Sequence, residues 1–285
     1  MTNGMENFWD SLSRNEAQAA EFIMERLKDA PWAQPLLLGI RENGGITHAT
    51  KDRLFELRFG YALHTEGIIP RYEIPGEGRS TIDFGFTSKN QPWAVELLRL
   101  GETAAVKAAT IASVNSDGIP WTERMLSTDA SDRRQSLEGE TLKAVQRICQ
   151  KCESGGRPHK FPVPRDALNV ILVDFRTFAN KGGDVHDRLH VALGGHYVGD
   201  PYRLFWDNQV ITGVFDERTP VKGAAEARER VHFIGFTHEK HYNPGELSHV
   251  TQFIANPHLF HDATAVRTAI ATWPMQPAHV INGGN

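Results

Sequence analysis

Along residues 80–100, STIDFGFTSKNQPWAVELLRL, apolar and polar positions alternate twice, with a break between. Ile82, Phe84 and Phe86 alternate with Asp83, Gly85 and Thr87; Trp93, Val95 and Leu97 alternate with Ala94, Glu96 and Leu98. A period of two marks a strand with one face in a core. The stretch therefore predicts two strands joined through the turn formers of residues 88–92. Asp83 then points away from the aromatic side chains, and Glu96 stands alone among apolar neighbours. Residues 169–175, NVILVDF, are apolar almost without interruption and predict a buried central strand, with Asp174 near its C-terminal end.

Helical periodicity brackets these strands. Residues 5–29 predict an amphipathic helix with Phe8, Leu12, Ala19, Phe22, Ile23 and Leu27 on its apolar side, stopped by Asp29-Ala30-Pro31. Residues 32–45 lead into a loop at Gly44-Gly45. A helix over about 50–66, capped by Thr47 or Thr50, turns Leu54, Leu57, Ala62 and Leu63 to a core, with Phe55 and Phe59 beside them and Glu56 at the edge of the stripe. Residues 68–74 read as a short strand carrying Tyr72, and 75–78 as a turn. Residues 102–116 read as helical, followed by a polar insertion over 115–134 that serves either as a cover for a site or as decoration. A helix over about 136–153 places Leu142, Val145, Ile148, Cys149 and Cys152 on one face, with Gln146 and Lys151 on its flanks. Strand-like runs at 209–215 and 231–237 complete a sheet or form a partner surface, and residues 273–285 are expected to fray.

At 285 residues, with 40% hydrophobic and 23% charged positions, the chain reads as one large globular unit. Its parts are an N-terminal helical extension (1–46), a core (47–180) and a C-terminal extension packed on that core (181–285). A formal net charge of -4 offers no overall basic footprint, so any nucleic-acid contact rests on a local patch. No run is apolar enough to cross a membrane and MTNGMENFWD lacks a signal sequence, so the expectation is a cytoplasmic protein with no membrane partner. The two cysteines fit a reducing compartment. Zinc would need two further ligands and no second pair exists, so Cys149 and Cys152 read as buried structural thiols.

A carboxylate in an apolar strand is costly unless a basic partner or a metal ion compensates it. Two of them on paired strands point to a metal, and Mg²⁺ takes one or two carboxylates with water and phosphate oxygens in its other positions. In order and spacing, Glu56 in DRLFELRFGYALHTEG, Asp83 in STIDFGF and Glu96 in WAVELLRL resemble the signature of the PD-(D/E)XK nuclease superfamily, from about residue 50 to about residue 175. The resemblance is to a divergent member, because Leu98 stands where the family's Glu-x-Lys has its lysine. Arg99, one residue on, turns to the opposite face and is no replacement.

The resemblance implies an α/β fold: a restriction-endonuclease-like mixed sheet flanked by helices, with an N-terminal helix and a C-terminal α+β extension. It implies Mg²⁺ or Mn²⁺ held by Asp83 and Glu96, and Glu56 supporting that site. It also implies a catalytic cation from the helix after the Glu strand, for which Lys151 is best placed, with Gln146 as its polar companion. The partner implied is nucleic acid, DNA in preference to RNA. Periodicity alone reads Lys151 equally as a helix-edge lysine and Glu56 as a solvated glutamate. Two other readings remain at this point: a catalytically silent module of the same shape binding nucleic acid or a protein, and a histidine-metal hydrolase using His186 and His190, with His196 beyond.

Overall fold

The computed structural model describes residues 10–101, 110–114, 120–124, 137–153, 160–178, 182–195, 205–206, 209–276 and 278–281. At its centre is a seven-stranded mixed sheet. In spatial order it comprises β1 (Arg71–Pro75), β2 (Thr81–Ser88), β3 (Gln91–Arg99), β6 (Leu168–Asp174), β9 (Phe233–Thr237), β10 (Gln252–Ala255) and β11 (His279–Ile281). Two further hairpins pair β4 (Thr110–Val114) with β5 (Pro120–Arg124), and β7 (Phe205–Trp206) with β8 (Gln209–Val210).

The β1–β2, β2–β3 and β9–β10 pairs are antiparallel, and β3–β6, β6–β9 and β10–β11 are parallel. Parallel neighbours need crossovers. Here α4 (Leu137–Gln150) lies between β3 and β6 in the chain, α5 (Val185–Leu193) and α6 (Ala224–Arg230) between β6 and β9, α7 (Glu246–His249) between β9 and β10, and α8 (Ala263–Ile270) between β10 and β11. Residues 181–285 thus supply β9, β10 and β11 of the central sheet itself.

Both faces of the sheet are buried. On one, Phe84, Val95, Leu97, Val170, Phe233 and Phe253 pack under α1 (Arg14–Arg26), α2 (Gln34–Glu42), α3 (Lys51–Thr65) and α8. On the other, Ala94, Leu98, Ile171, Val173 and Ile234 pack under α4, α5 and α6. This double burial explains why every residue of β6 is apolar or paired and why none is exposed. Cys149 and Cys152 are buried free thiols in the second face, as expected.

Four expectations need correction. The N-terminal helix starts at Arg14, and Phe8 lies outside the described residues. Its inward positions are Glu16, Ala20 and Ile23 followed by Leu27, while Phe22 is 44% exposed. Residues 34–42 form α2, in which Leu36, Leu37 and Ile40 are buried and Pro35 occupies the first turn, where its missing N–H costs nothing. Residues 110–114 are a strand, with β-branched Ile111 and Val114 in register with Glu123 and Pro120; residues 102–109 lie outside the described residues. Trp273 and Met275 are buried in the first core, because the chain must pass there to reach β11, so the tail is docked as far as Ile281.

The hairpin at 80–100 turns more tightly than its polar break suggests. Ser88 pairs with Gln91, so the loop is Lys89-Asn90 alone, with φ of 47° and 65°. Pro92 lies inside β3, ahead of the Trp93–Leu168 pair where the β6 ladder begins, so on that side it interrupts no hydrogen bond. At the far end, Glu73 at φ 51° breaks the alternation. Tyr72 and Phe84 pack in the first core, whereas Ile74 and Ile82 pack in the second.

Candidate functional site

The ladder between β2 and β3 runs from Ser88–Gln91 to Phe84–Val95. Next to its last pair the Asp83 carboxylate accepts the Leu97 amide at 2.6 Å, so a side chain does what the backbone did up to that point. The strands part there, and continuing the register by one residue brings Asp83 opposite Glu96. Asp83 lies within electrostatic reach of Glu96, Glu56 and Lys151.

Glu96 is 1% exposed. Its Oε1 meets two ammonium groups, Lys151 Nζ at 2.7 Å and Lys160 Nζ at 2.6 Å, while its Oε2 is buried with no hydrogen-bond partner among the described residues. Lys151 sits one residue beyond α4, in a last turn closed by its amide donating to the Ile148 carbonyl at 3.0 Å. Lys160 sits in the loop before β6. That loop is pinned from two sides, because the Lys160 amide donates to the Cys152 carbonyl and its carbonyl accepts from the Glu77 amide.

Leu98 is packed in the second core, and the cations beside Glu96 come from two segments other than β3. Lys160 carries no periodic signal in the sequence, and only the proximity of a loop between a helix and the β6 strand could have pointed to it.

Glu56 projects from α3, and its Oε2 accepts the Tyr72 hydroxyl at 2.6 Å. Burial pushes the Glu56 carboxyl above the ordinary range against the Tyr72 hydrogen bond and the positive charges of Arg53 and Lys151. The same pairing and burial raise the Tyr72 hydroxyl well above its usual value. Burial, then the charges of Glu96 and Glu56, push Asp83 up to about 8, outweighing Lys151 and the Leu97 amide. Burial works against the Lys151 charge, but Glu96 and Asp83 prevail and hold its ammonium above the ordinary lysine value. Three carboxyls and two lysines thus share a site, in which burial keeps Asp83 largely protonated near neutral pH.

No family model, curated protein or solved structure matches this chain.

The other candidates fall elsewhere. Gln146 is exposed on α4, beside a cavity of about 410 Å³ that Leu100, Arg147 and Thr177 also line, and forms no hydrogen bond with Asp83, Glu96 or Lys151. Asp174 is held by the Arg176 guanidinium at 2.6 Å and is a structural anion. His186 is exposed and His190 buried on α5, and His196 lies outside the described residues. Among the described residues no three His, Cys, Asp or Glu side chains form a metal-ligating group, and no helix is long and apolar enough to cross a membrane. A cation at this site would take Asp83 and the free Oε2 of Glu96 and fill its other positions with water or substrate oxygens. That donor set suits a hard ion such as Mg²⁺ or Mn²⁺ and not zinc.

Proposed function

We propose that the protein is a metal-dependent phosphodiesterase that hydrolyses nucleic acid on a restriction-endonuclease-like core, with Asp83 and Glu96 as ligands of Mg²⁺ or Mn²⁺. The observation that carries this reading is the Glu96 carboxylate: buried, flanked by two lysines, with one oxygen left without a partner beside a second carboxyl at the point where β2 and β3 part. Burying such an oxygen alone costs about 1–3 kcal/mol, more for a charged group, and a cation removes that cost.

When bound, the ion supplies an acidic water and offsets charge developing on the phosphate. Asp83 and Glu96 hold and orient it. Lys151, whose side chain is 31% exposed, can face an arriving phosphate, whereas Lys160, at 10%, neutralises Glu96 from within the loop. Glu56, fixed by Tyr72, keeps a third carboxyl in range. Lys143, Arg147 and Lys151 recur at every fourth position along and just beyond α4, giving the local basic stripe that an acidic protein needs to meet a polyanion, DNA in preference to RNA.

Divalent-dependent cleavage of DNA and RNA tests this: Asp83→Ala and Glu96→Ala should each abolish it, and activity that survives both substitutions would remove the assignment. The double ion pair on Glu96 Oε1 favours one competing reading, a silent module whose lysines stand permanently where an ion would. In that case Mg²⁺ and Mn²⁺ titrated into the purified protein give neither heat nor a thermal shift.

A further inference from the structure

Apart from that cluster, α1, α3 and the loop over residues 238–246 enclose a cavity of about 590 Å³, within the range of small-molecule sites. Arg58 of α3 lines it with a side chain only 3% exposed. Two of its nitrogens are spoken for: Nε donates to Glu239 at 2.7 Å, and Nη1 donates to Glu16 at 3.0 Å and to the Leu54 carbonyl at 3.2 Å. Nη2 is buried and has no hydrogen-bond partner among the described residues. A buried guanidinium donor without an acceptor is costly, so its natural complement is an oxygen or ring nitrogen of a ligand. Glu16 and Glu239 already balance the guanidinium charge, and Glu239 also lines the cavity, so a neutral acceptor suits the place better than a phosphate.

The walls narrow the class further. Phe22 and Tyr61 meet edge to face with ring centroids 6.1 Å apart, and Gln18 and Asn243 add amides that both donate and accept. Tyr242 holds a φ of 59°, rare for an aromatic residue. Its loop is fixed by the Glu246 carboxylate, which accepts the amides of Lys240, His241 and Asn243 at 2.8 to 3.1 Å. The Tyr242 ring also lies beneath two guanidiniums, Arg58 at 4.9 Å and Arg176 at 5.2 Å. The cavity is therefore preformed, lined by aromatic rings, amides and the Arg58 side chain.

We propose that this cavity binds a nucleobase, carried either by a free mononucleotide or by an unstacked position of a nucleic-acid strand. The inference does not depend on a metal at Asp83 and Glu96.

Calorimetric titration of the full chain in EDTA, with AMP, GMP, CMP and UMP and separately with a short single-stranded oligonucleotide, tests it. Saturable binding of a mononucleotide, or of the oligonucleotide alone, is expected, and which of the two occurs identifies the source of the base. Phe22→Ala should weaken it by on the order of 5- to 150-fold, the usual weight of one stacking contact. Gln18→Ala should weaken it less. Both side chains are exposed at the rim, so neither substitution threatens the fold. Asp83→Ala should leave this binding unchanged. Absence of saturable binding in both arms, or binding that Phe22→Ala and Gln18→Ala leave intact, overturns the proposal.

Discussion

Two groups of buried charge in this protein use the same residue types to opposite ends. In the first, Glu16 is fully buried and touches three cations: Lys51 at 3.3 Å, Arg58 at 3.0 Å and Arg176 at 3.2 Å. Arg176 also holds Asp174, and Arg58 holds Glu239. Although burial opposes the Asp174 charge, Arg176 overrides it and brings that carboxyl down to about 2. In the second group, Asp83 is pushed up to about 8, Glu56 is raised as well, and Glu96 keeps an oxygen without a partner. In the first group three cations face three carboxyls, Glu16, Asp174 and Glu239, and the group joins α1, α3 and the loop after β6. In the second, three carboxyls face two lysines, and one carboxylate oxygen is left without a partner. Burial of charge alone does not separate scaffold from chemistry; the balance of sign within each cluster does.

The contrast can be broken by substitution. Glu16→Gln should destabilise the fold by about 3 to 5 kcal/mol in denaturant titration, because Lys51, Arg58 and Arg176 lose their shared anion. A cost below about 1 kcal/mol would mean that the first group is not structural. Next in size, Lys151→Met and Lys160→Met should each slow divalent-dependent cleavage by on the order of 10²-fold. Lys51→Met, which touches only the first group, should lower stability and leave any cleavage rate of the folded protein unchanged.

Acid separates the groups by about 2 kcal/mol. Because the folded-state value for Asp174 lies below that of the unfolded chain, its contribution is complete above about pH 4 and fades as pH falls toward about 2. Asp174→Asn should flatten that limb of the stability profile. His232 offers a control in a separate window. Burial lowers it to about 4, so folding also weakens from about pH 6.5 down to 4 as the unfolded chain takes up the proton, and Asp174→Asn should not alter that part. Asp83→Asn without divalent ions should have the opposite sign. The folded-state value of Asp83, about 8, lies above that of the unfolded chain, so its carboxyl costs stability increasingly as pH rises from about 4 toward about 8. The substitution should stabilise the protein at about pH 8 and change little at about pH 4.

Much of the second group is legible in the sequence, and almost none of the first. Asp83 and Glu96 stand out because a strict period of two surrounds each with apolar residues, whereas the angular pattern of α4 puts Lys151 on a flank without giving it a role. Lys160 escapes, since its position is set by backbone contacts to Cys152 and Glu77 rather than by any repeat. Glu16 escapes for a related reason. It occupies an inward position of α1 that a helical pattern reserves for apolar residues, and what makes it tolerable lies 42 and 160 residues away, in Arg58 and Arg176. The alternation of β2 misleads at one point only: Ile82 changes face where Glu73 adopts a left-handed backbone, which no hydrophobic pattern encodes. The helix at 34–42 was detectable in principle from Pro35 preceding a run of leucines, but its short length blurs the period.

The placement of β9 between β6 and β10 bears on how this molecule is made. While a ribosome has delivered only the first 180 residues, β6 has β3 on one side and a bare row of backbone donors and acceptors on the other, on a strand whose side chains are apolar above and below. A nascent chain at that stage is a template for pairing with a neighbouring copy, and it stays so until residues 233–237 emerge and close the gap. Translation that stalls between about residue 180 and residue 233 should therefore yield aggregates rather than a smaller folded protein.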